Sequence, residues 1–266
     1  MASDDFEPLR LTSVGARIRL LTLDLPSLRN AMTEQMTAAW SQAMEELRAD
    51  DSVRVLVVTG AGTSFCSGAD LSWLDQGGGS LQNSAPKIRE RMLAFYETWL
   101  EARELPFPVI AAVNGPAVGA GLCVALACDL RYAHPDAHFS APFLHLGTHG
   151  GMAVTSLLPQ AIGMSRAREM LYTGREVDAS EALSWGLVSG IAEDVVAHTL
   201  TVAERIANAA PIATTLTKAG LKQTDLSFGM SLQWESLAQP VTMVSFDLHE
   251  GIKARRQNRP PRFTGT

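Results

Sequence analysis

Cysteine is scarce in this chain. Cys66, Cys123 and Cys128 are the three present in 266 residues, and none stands in a CxxC or Cys/His spacing. A structural metal needs clustered thiolates or imidazoles and a disulfide framework needs paired thiols, so no resident metal is expected and a reducing compartment fits. Positive charge is also short. With 22 Lys and Arg against 28 Asp and Glu the formal net charge is −6, whereas a nucleic-acid binder usually carries a basic surface that displaces counterions from phosphates. No apolar run approaches the roughly 18–20 residues that cross a bilayer. The start, MASDDFEPLR, lacks the cationic end and apolar heart of a signal peptide. Neither nucleic acid nor a membrane is therefore expected as a partner, and a cytoplasmic location is. No Pro/Ser-rich linker divides the chain, and its 46% hydrophobic content is ample for a core.

What is present is a succession of strands and helices. Residues 17–25 alternate enough for an early strand. Met36, Trp40, Ala43, Met44 and Leu47 then recur at helical spacing over 33–50, with Thr33 as N-cap. VRVLVVT at 53–59 is β-branched and continuously apolar, as a strand buried on both faces should be. Residues 72–86, with Gly77-Gly78-Gly79-Ser80, read as a mobile surface segment that could serve as a lid. Pro86 opens a predicted helix through Arg103, ended by Pro106 and Pro108 before a strand at 109–113. A helix at 119–127, strands at 130–133 and 138–141, and helices from Met152, Ser165, Asp178, Asp194 and Pro211 follow. The pattern predicts an α/β core over 1–200 and a C-terminal helical segment over 201–266 of the same structural unit.

The stretch 111–129, AAVNGPAVGAGLCVALACD, carries the most chemistry. An apolar strand enters a Gly-rich turn that runs straight into a buried helix, so free backbone N–H groups at the positive end of a helix dipole face whatever lies above. A second Gly-rich turn, 60–71, follows the strand at 53–59 and can supply another N–H. Two converging backbone donors make an oxyanion hole. A nucleotide-binding turn fits less well, because the glycine spacing is not G-x-G-x-x-G and no acidic residue follows at the distance a ribose needs.

Seven pieces, in order, are familiar: Arg29-Asn30-Ala31-Met32, residues 64–71 (SFCSGADL), residues 112–121 (AVNGPAVGAG), Cys128-Asp129-Leu130-Arg131, Leu171-Tyr172-Thr173-Gly174, residues 182–188 (ALSWGLV), and the tail from Glu250-Gly251 to Arg262-Phe263. Together they resemble the enoyl-CoA hydratase/isomerase (crotonase) family over almost the entire chain. The resemblance implies a ββα-spiral core, a C-terminal helical trimerisation region, and a lyase or isomerase of fatty acid metabolism acting on acyl-CoA thioesters. Coenzyme A is then part of the substrate, and no separate cofactor is expected. In this family the oxyanion donors are backbone N–H groups, and the matching positions are Ala69 and Ala120. Gly68, Gly119 and Gly121 would let the thioester approach, with Ser67 and Leu71 against the pantetheine and adenine and Arg29 near a phosphate. Lys253, Arg255 and Arg256 could reach a neighbour's CoA, and a homotrimer or a dimer of trimers is expected, with Leu232, Leu237, Val241, Val244, Phe246 and Leu248 buried between subunits.

One departure bears on the reaction. The family's hydratases hold water between two glutamates, and the matching positions here are Cys123 and Phe143. The isomerase aspartate matches about Gly151. A thiol of ordinary pKa near 8.5 is mostly protonated at neutral pH and a phenyl ring moves no proton, so standard two-glutamate hydration is not expected. His149, expected at a helix start, is the first candidate for acid/base work, and His145, expected to share a face of an extended segment with Phe143, is the second. Cys123 as nucleophile and Asp70 as base are weaker than their readings as packing thiol and N-cap, and Asp129 reads as structural. Phe143 would dry the site and favour a reaction that excludes water, or a bulky or aromatic acyl group. The alternative is a catalytically silent acyl-CoA-binding protein that keeps the pocket and has lost its acids, and after it a purely structural subunit.

Overall fold

The computed structural model describes residues 3–70, 85–223 and 227–266, with backbone alone for residues 3–6. Leu71 and most of the segment expected to form a lid lie outside the described residues, as does the helix expected after Asp70. The main sheet begins with β1 (Ser3–Phe6), β2 (Leu9–Val14) and β3 (Ile18–Leu23) in an antiparallel meander. It continues in parallel through β4 (Val55–Gly60), β5 (Val109–Val113) and β7 (Leu130–Ala133). The first two strands were not anticipated from the sequence. A second sheet pairs β6 (Ala117–Val118) in parallel with β8 (His138–Ser140), and β8 antiparallel with β9 (Val177–Asp178).

Every residue of β4 is buried, because both faces of the sheet are covered. Leu56 and Val58 join the larger core, while Val55 and Val57 meet Ile110 and Ala112 of β5 and Val195, Ala203 and Ala207 of α7 (Val195–Ala207). On the large-core side α1 (Glu34–Ala49) starts where the Thr33 hydroxyl accepts the Met36 N–H at 3.1 Å. Its buried stripe of Met36, Trp40, Met44 and Leu47 faces α2 (Ala85–Leu100), where Trp40 and Trp99 stack at 4.7 Å between ring centroids. The helix read as running to Arg103 stops at Leu100, and Glu101–Glu104 tightens into a 3-10 turn.

After α3 (Ala120–Ala127) come a 3-10 turn at Pro142–Leu146, α4 (Val154–Ile162), α5 (Met164–Thr173) and α6 (Ala179–Trp185). The helix read as starting at Met152 starts two residues later, because Met152 and Ala153 both take left-handed conformations, with φ of 52° and 55°. Beyond α7, α8 (Pro211–Leu221) is tied to the sheet by the buried Lys218, whose Nζ lies 2.8 Å from the Asp129 carboxylate and 2.8 Å from the Phe107 carbonyl. That Asp129 carboxylate also accepts the Val109 N–H at 2.7 Å, a structural use. Two final helices, α9 (Phe228–Met243) and α10 (Phe246–Arg256), together with Val244 between them, carry the apolar residues expected between subunits. In the isolated chain Leu237 and Phe246 are 73% and 74% exposed. No helix among the described residues is long and apolar enough to cross a membrane.

Candidate active site

The first Gly-rich turn is held in place by two asparagine side chains. Asn30, fully buried, accepts the Leu25 N–H and donates its amide to the carbonyls of Ala61 at 3.0 Å and Ser64 at 2.8 Å. Asn114 accepts the Gly60 N–H at 3.0 Å and donates to the Gly62 carbonyl at 3.0 Å. An amide side chain is suited to this because it offers a donor and an acceptor at one tip. Both asparagines lie in the motifs quoted above, but their stapling role was not foreseen.

The second turn is stitched to the first. The Phe65 and Cys66 N–H groups both donate to the Pro116 carbonyl, and the Val118 N–H donates to the Cys66 carbonyl at 3.0 Å. Gly121 has no side chain because a Cβ there would overlap the Cys66 carbonyl. Gly119 makes the corner into α3 with φ 56° and ψ −116°, a conformation closed to L side chains. A Cβ on Gly68 would lie 3.3 Å from the Ala120 nitrogen, which measures how closely the two turns abut. The Met32 N–H, donating to the Gly68 carbonyl at 2.9 Å, fixes that end of the first turn. Among the described residues, neither the Ala69 nor the Ala120 amide has an acceptor within the protein. The Ala120 amide is moreover the first of α3, one of the groups a helix leaves unpaired at its positive end.

A cavity of about 120 Å³ borders both positions and is walled by Tyr96, Phe143 and Met152 among others. Ser67, Gly68, Gly119 and His149 also line it. Phe143 packs its ring against Gly119 and Gly150, at 3.9 Å and 3.5 Å from where a Cβ would stand. His149 is exposed at the rim, in a loop rather than at a helix start. His145 does not share a face with Phe143, since Pro142–Leu146 is a 3-10 turn with a proline at its start, not an extended segment. Its imidazole sits over Gly174 instead, outside the cavity lining. Arg29 is exposed in a left-handed conformation, its carbonyl accepting the Ser67 N–H at 3.0 Å, and it does not line the cavity.

Cys123 is fully buried behind the wall, its Sγ 3.3 Å from the Gly119 carbonyl. Burial pushes its thiol up to about 12, so at neutral pH it is neither nucleophile nor base. Tyr96 falls within the helix predicted from Pro86 through Arg103, and the sequence alone gives it no role. Its phenol nevertheless lines the cavity, and only the conjunction with Gly151 could have indicated it.

Known proteins agree with this architecture. Residues 14–266 match the family model described as enoyl-CoA hydratase/isomerase. A probable enoyl-CoA hydratase of Mycobacterium tuberculosis is 38% identical over 234 residues, covering 88% of this chain and 89% of that protein. The (E)-benzylidenesuccinyl-CoA hydratase of Thauera aromatica is 35% identical over 260 residues, covering 95% and 97%. In three dimensions the enoyl-CoA hydratase of Bacillus anthracis superposes with a TM-score of 0.90 at 29% identity, covering 97% of this chain and 99% of that one. On its sequence, and with the crotonase fold, this chain belongs to the enoyl-CoA hydratase/isomerase family.

Proposed function

We propose that the protein is an acyl-CoA thioester enzyme, a lyase or isomerase, that holds the thioester carbonyl oxygen between the Ala69 and Ala120 amides. The observation that carries this reading is the pair of unpartnered amides on two abutting turns at one cavity. Negative charge that develops on the oxygen when an enolate forms would meet donors already in place, and one such donor is worth roughly 3–4 kcal/mol of barrier. Coenzyme A belongs to the substrate here, with Ser67, Gly68 and Arg29 on the side of the first turn. Hydration between two glutamates is disfavoured, since Cys123 and Phe143 occupy the matching positions and the thiol is sealed from the cavity. His149, exposed at the rim of the cavity, is the acid/base candidate. The apolar residues of α9 and α10 support assembly as a homotrimer or a dimer of trimers, and a cytoplasmic location accords with the composition.

Turnover of a panel of acyl-CoA thioesters, followed by mass spectrometry, tests the reading together with one backbone change. Ala120→Pro removes a single N–H at the first position of a helix, where proline's φ is accommodated. The expected result is a fall in turnover of about 10²–10³-fold, and unchanged turnover would contradict the proposal. Thioester binding without any turnover by the unmodified protein would favour the silent acyl-CoA-binding alternative.

A further inference from the structure

The same cavity holds a hydroxyl that the enolate chemistry leaves unused. Tyr96 extends from α2 so that its Oη rests on the Cα of Gly151, where a Cβ would overlap it, and its Cζ would be 2.8 Å from that Cβ. The ring is held from the other side by Phe95, edge-on at 6.3 Å between centroids. Tyr96 is half-buried, and among the described residues its hydroxyl has no hydrogen-bond partner. Burial and the neighbouring Cys123 push its phenol above the usual range, so it stays an O–H donor at neutral pH.

Of the side chains that line the same cavity, Met92, Phe95, Phe143 and Met152 offer no strong acceptor, and none of the polar ones, Ser67, Thr148 and His149, is hydrogen-bonded to the hydroxyl. Water can serve the hydroxyl while the cavity is empty. An entering acyl group displaces that water, and a plain hydrocarbon chain would leave a desolvated donor unsatisfied. The cavity also limits where the meeting occurs. Its roughly 120 Å³ are shared with the Ala69 and Ala120 positions, so the hydroxyl meets the part of an acyl group next to the thioester.

We infer that Tyr96 is a specificity-determining residue whose hydroxyl donates a hydrogen bond to an oxygen borne near the thioester, which makes oxygen-bearing acyl thioesters, such as β-oxo, β-hydroxy or β-carboxy ones, the preferred ligands. The inference rests on the acyl-CoA reading above. It predicts discrimination between two ligands of the same carbon skeleton, because a site with a hydrogen-bonding group rejects the analogue that lacks the matching atom.

Isothermal titration of the full chain with butyryl-CoA, acetoacetyl-CoA and free CoA tests it, in the unmodified protein and in Tyr96→Phe. Phenylalanine keeps the ring against Phe95 and removes only the hydroxyl, and unchanged affinity for free CoA checks that the fold is intact. The unmodified protein should bind acetoacetyl-CoA about tenfold or more tighter than butyryl-CoA. In Tyr96→Phe the ratio should fall below about threefold. Equal affinities in the unmodified protein, or the same preference in Tyr96→Phe, would overturn the assignment of Tyr96. Failure of both thioesters to bind the unmodified protein would instead overturn the acyl-CoA reading beneath it.

Discussion

Helices α3 and α9 are both rich in apolar residues, yet all eight residues of α3 are buried and none of the sixteen in α9 is. The first is surrounded by its own chain: a Cβ on Gly121 would overlap the Cys66 carbonyl, and β6, α2 and α4 pack against the helix. The second has Phe228 81% exposed and Val244, just past its end, 82% exposed. Apolar side chains left in solvent along a whole helix are what a partner surface would cover. Apolar content thus tells where a helix must be covered without telling by what. One region makes the site, and the other awaits a second copy of the chain under the proposed assembly.

Several changes would break or sharpen this contrast. The largest effect is expected from Gly121→Ala in α3, because the new methyl would overlap the Cys66 carbonyl and force the two turns apart. A loss of about 3 kcal/mol in urea denaturation is expected, the upper end for overpacking, and a loss below about 1 kcal/mol would show that the turns are not locked together. In α9, Leu237→Glu should cost under about 0.5 kcal/mol in the dilute monomer while sedimentation shifts toward smaller species. An unchanged assembly would remove Leu237 from any interface.

A third test concerns the seal around α3. Cys66, Cys123 and Cys128 are buried and their thiols are pushed up to about 12. A disulfide reagent near pH ~8 should label none of them in the native protein and all of them after denaturation. The folded thiols keep their protons to about 12 while unfolded ones lose them near 9. Stability from this source is therefore full below about pH 9 and declines as pH rises toward about 12. A denaturation midpoint that stays level through that window would refute it.

The parallel strands β4 and β5 were legible because a strand buried on both faces must be apolar throughout, and α1 was legible from its stripe and the Thr33 cap. Strand β1, with the polar Ser3, Asp4 and Asp5, carries no such signal. Pro142–Leu146 was read as extended, but the proline fixes φ and Gly147 closes the turn in the left-handed region, so Phe143 and His145 diverge. The motifs in the sequence pointed to Ala69 and Ala120 by resemblance alone, and the abutting turns were visible only in three dimensions. Tyr96 was illegible for a deeper reason. On a helical repeat it is one more aromatic, and what sets its hydroxyl in the cavity is the missing side chain of Gly151, remote in sequence.

The infrared carbonyl band of an acyl-CoA labelled with ¹³C at the thioester carbon reads the two amides directly, since donors on the oxygen weaken the C=O bond. Bound to the unmodified protein, the band should move to lower frequency than in water, and part of that shift should be lost in Ala120→Pro. A thioester that binds with its carbonyl band where water leaves it would contradict the claim that Ala69 and Ala120 grip the oxygen.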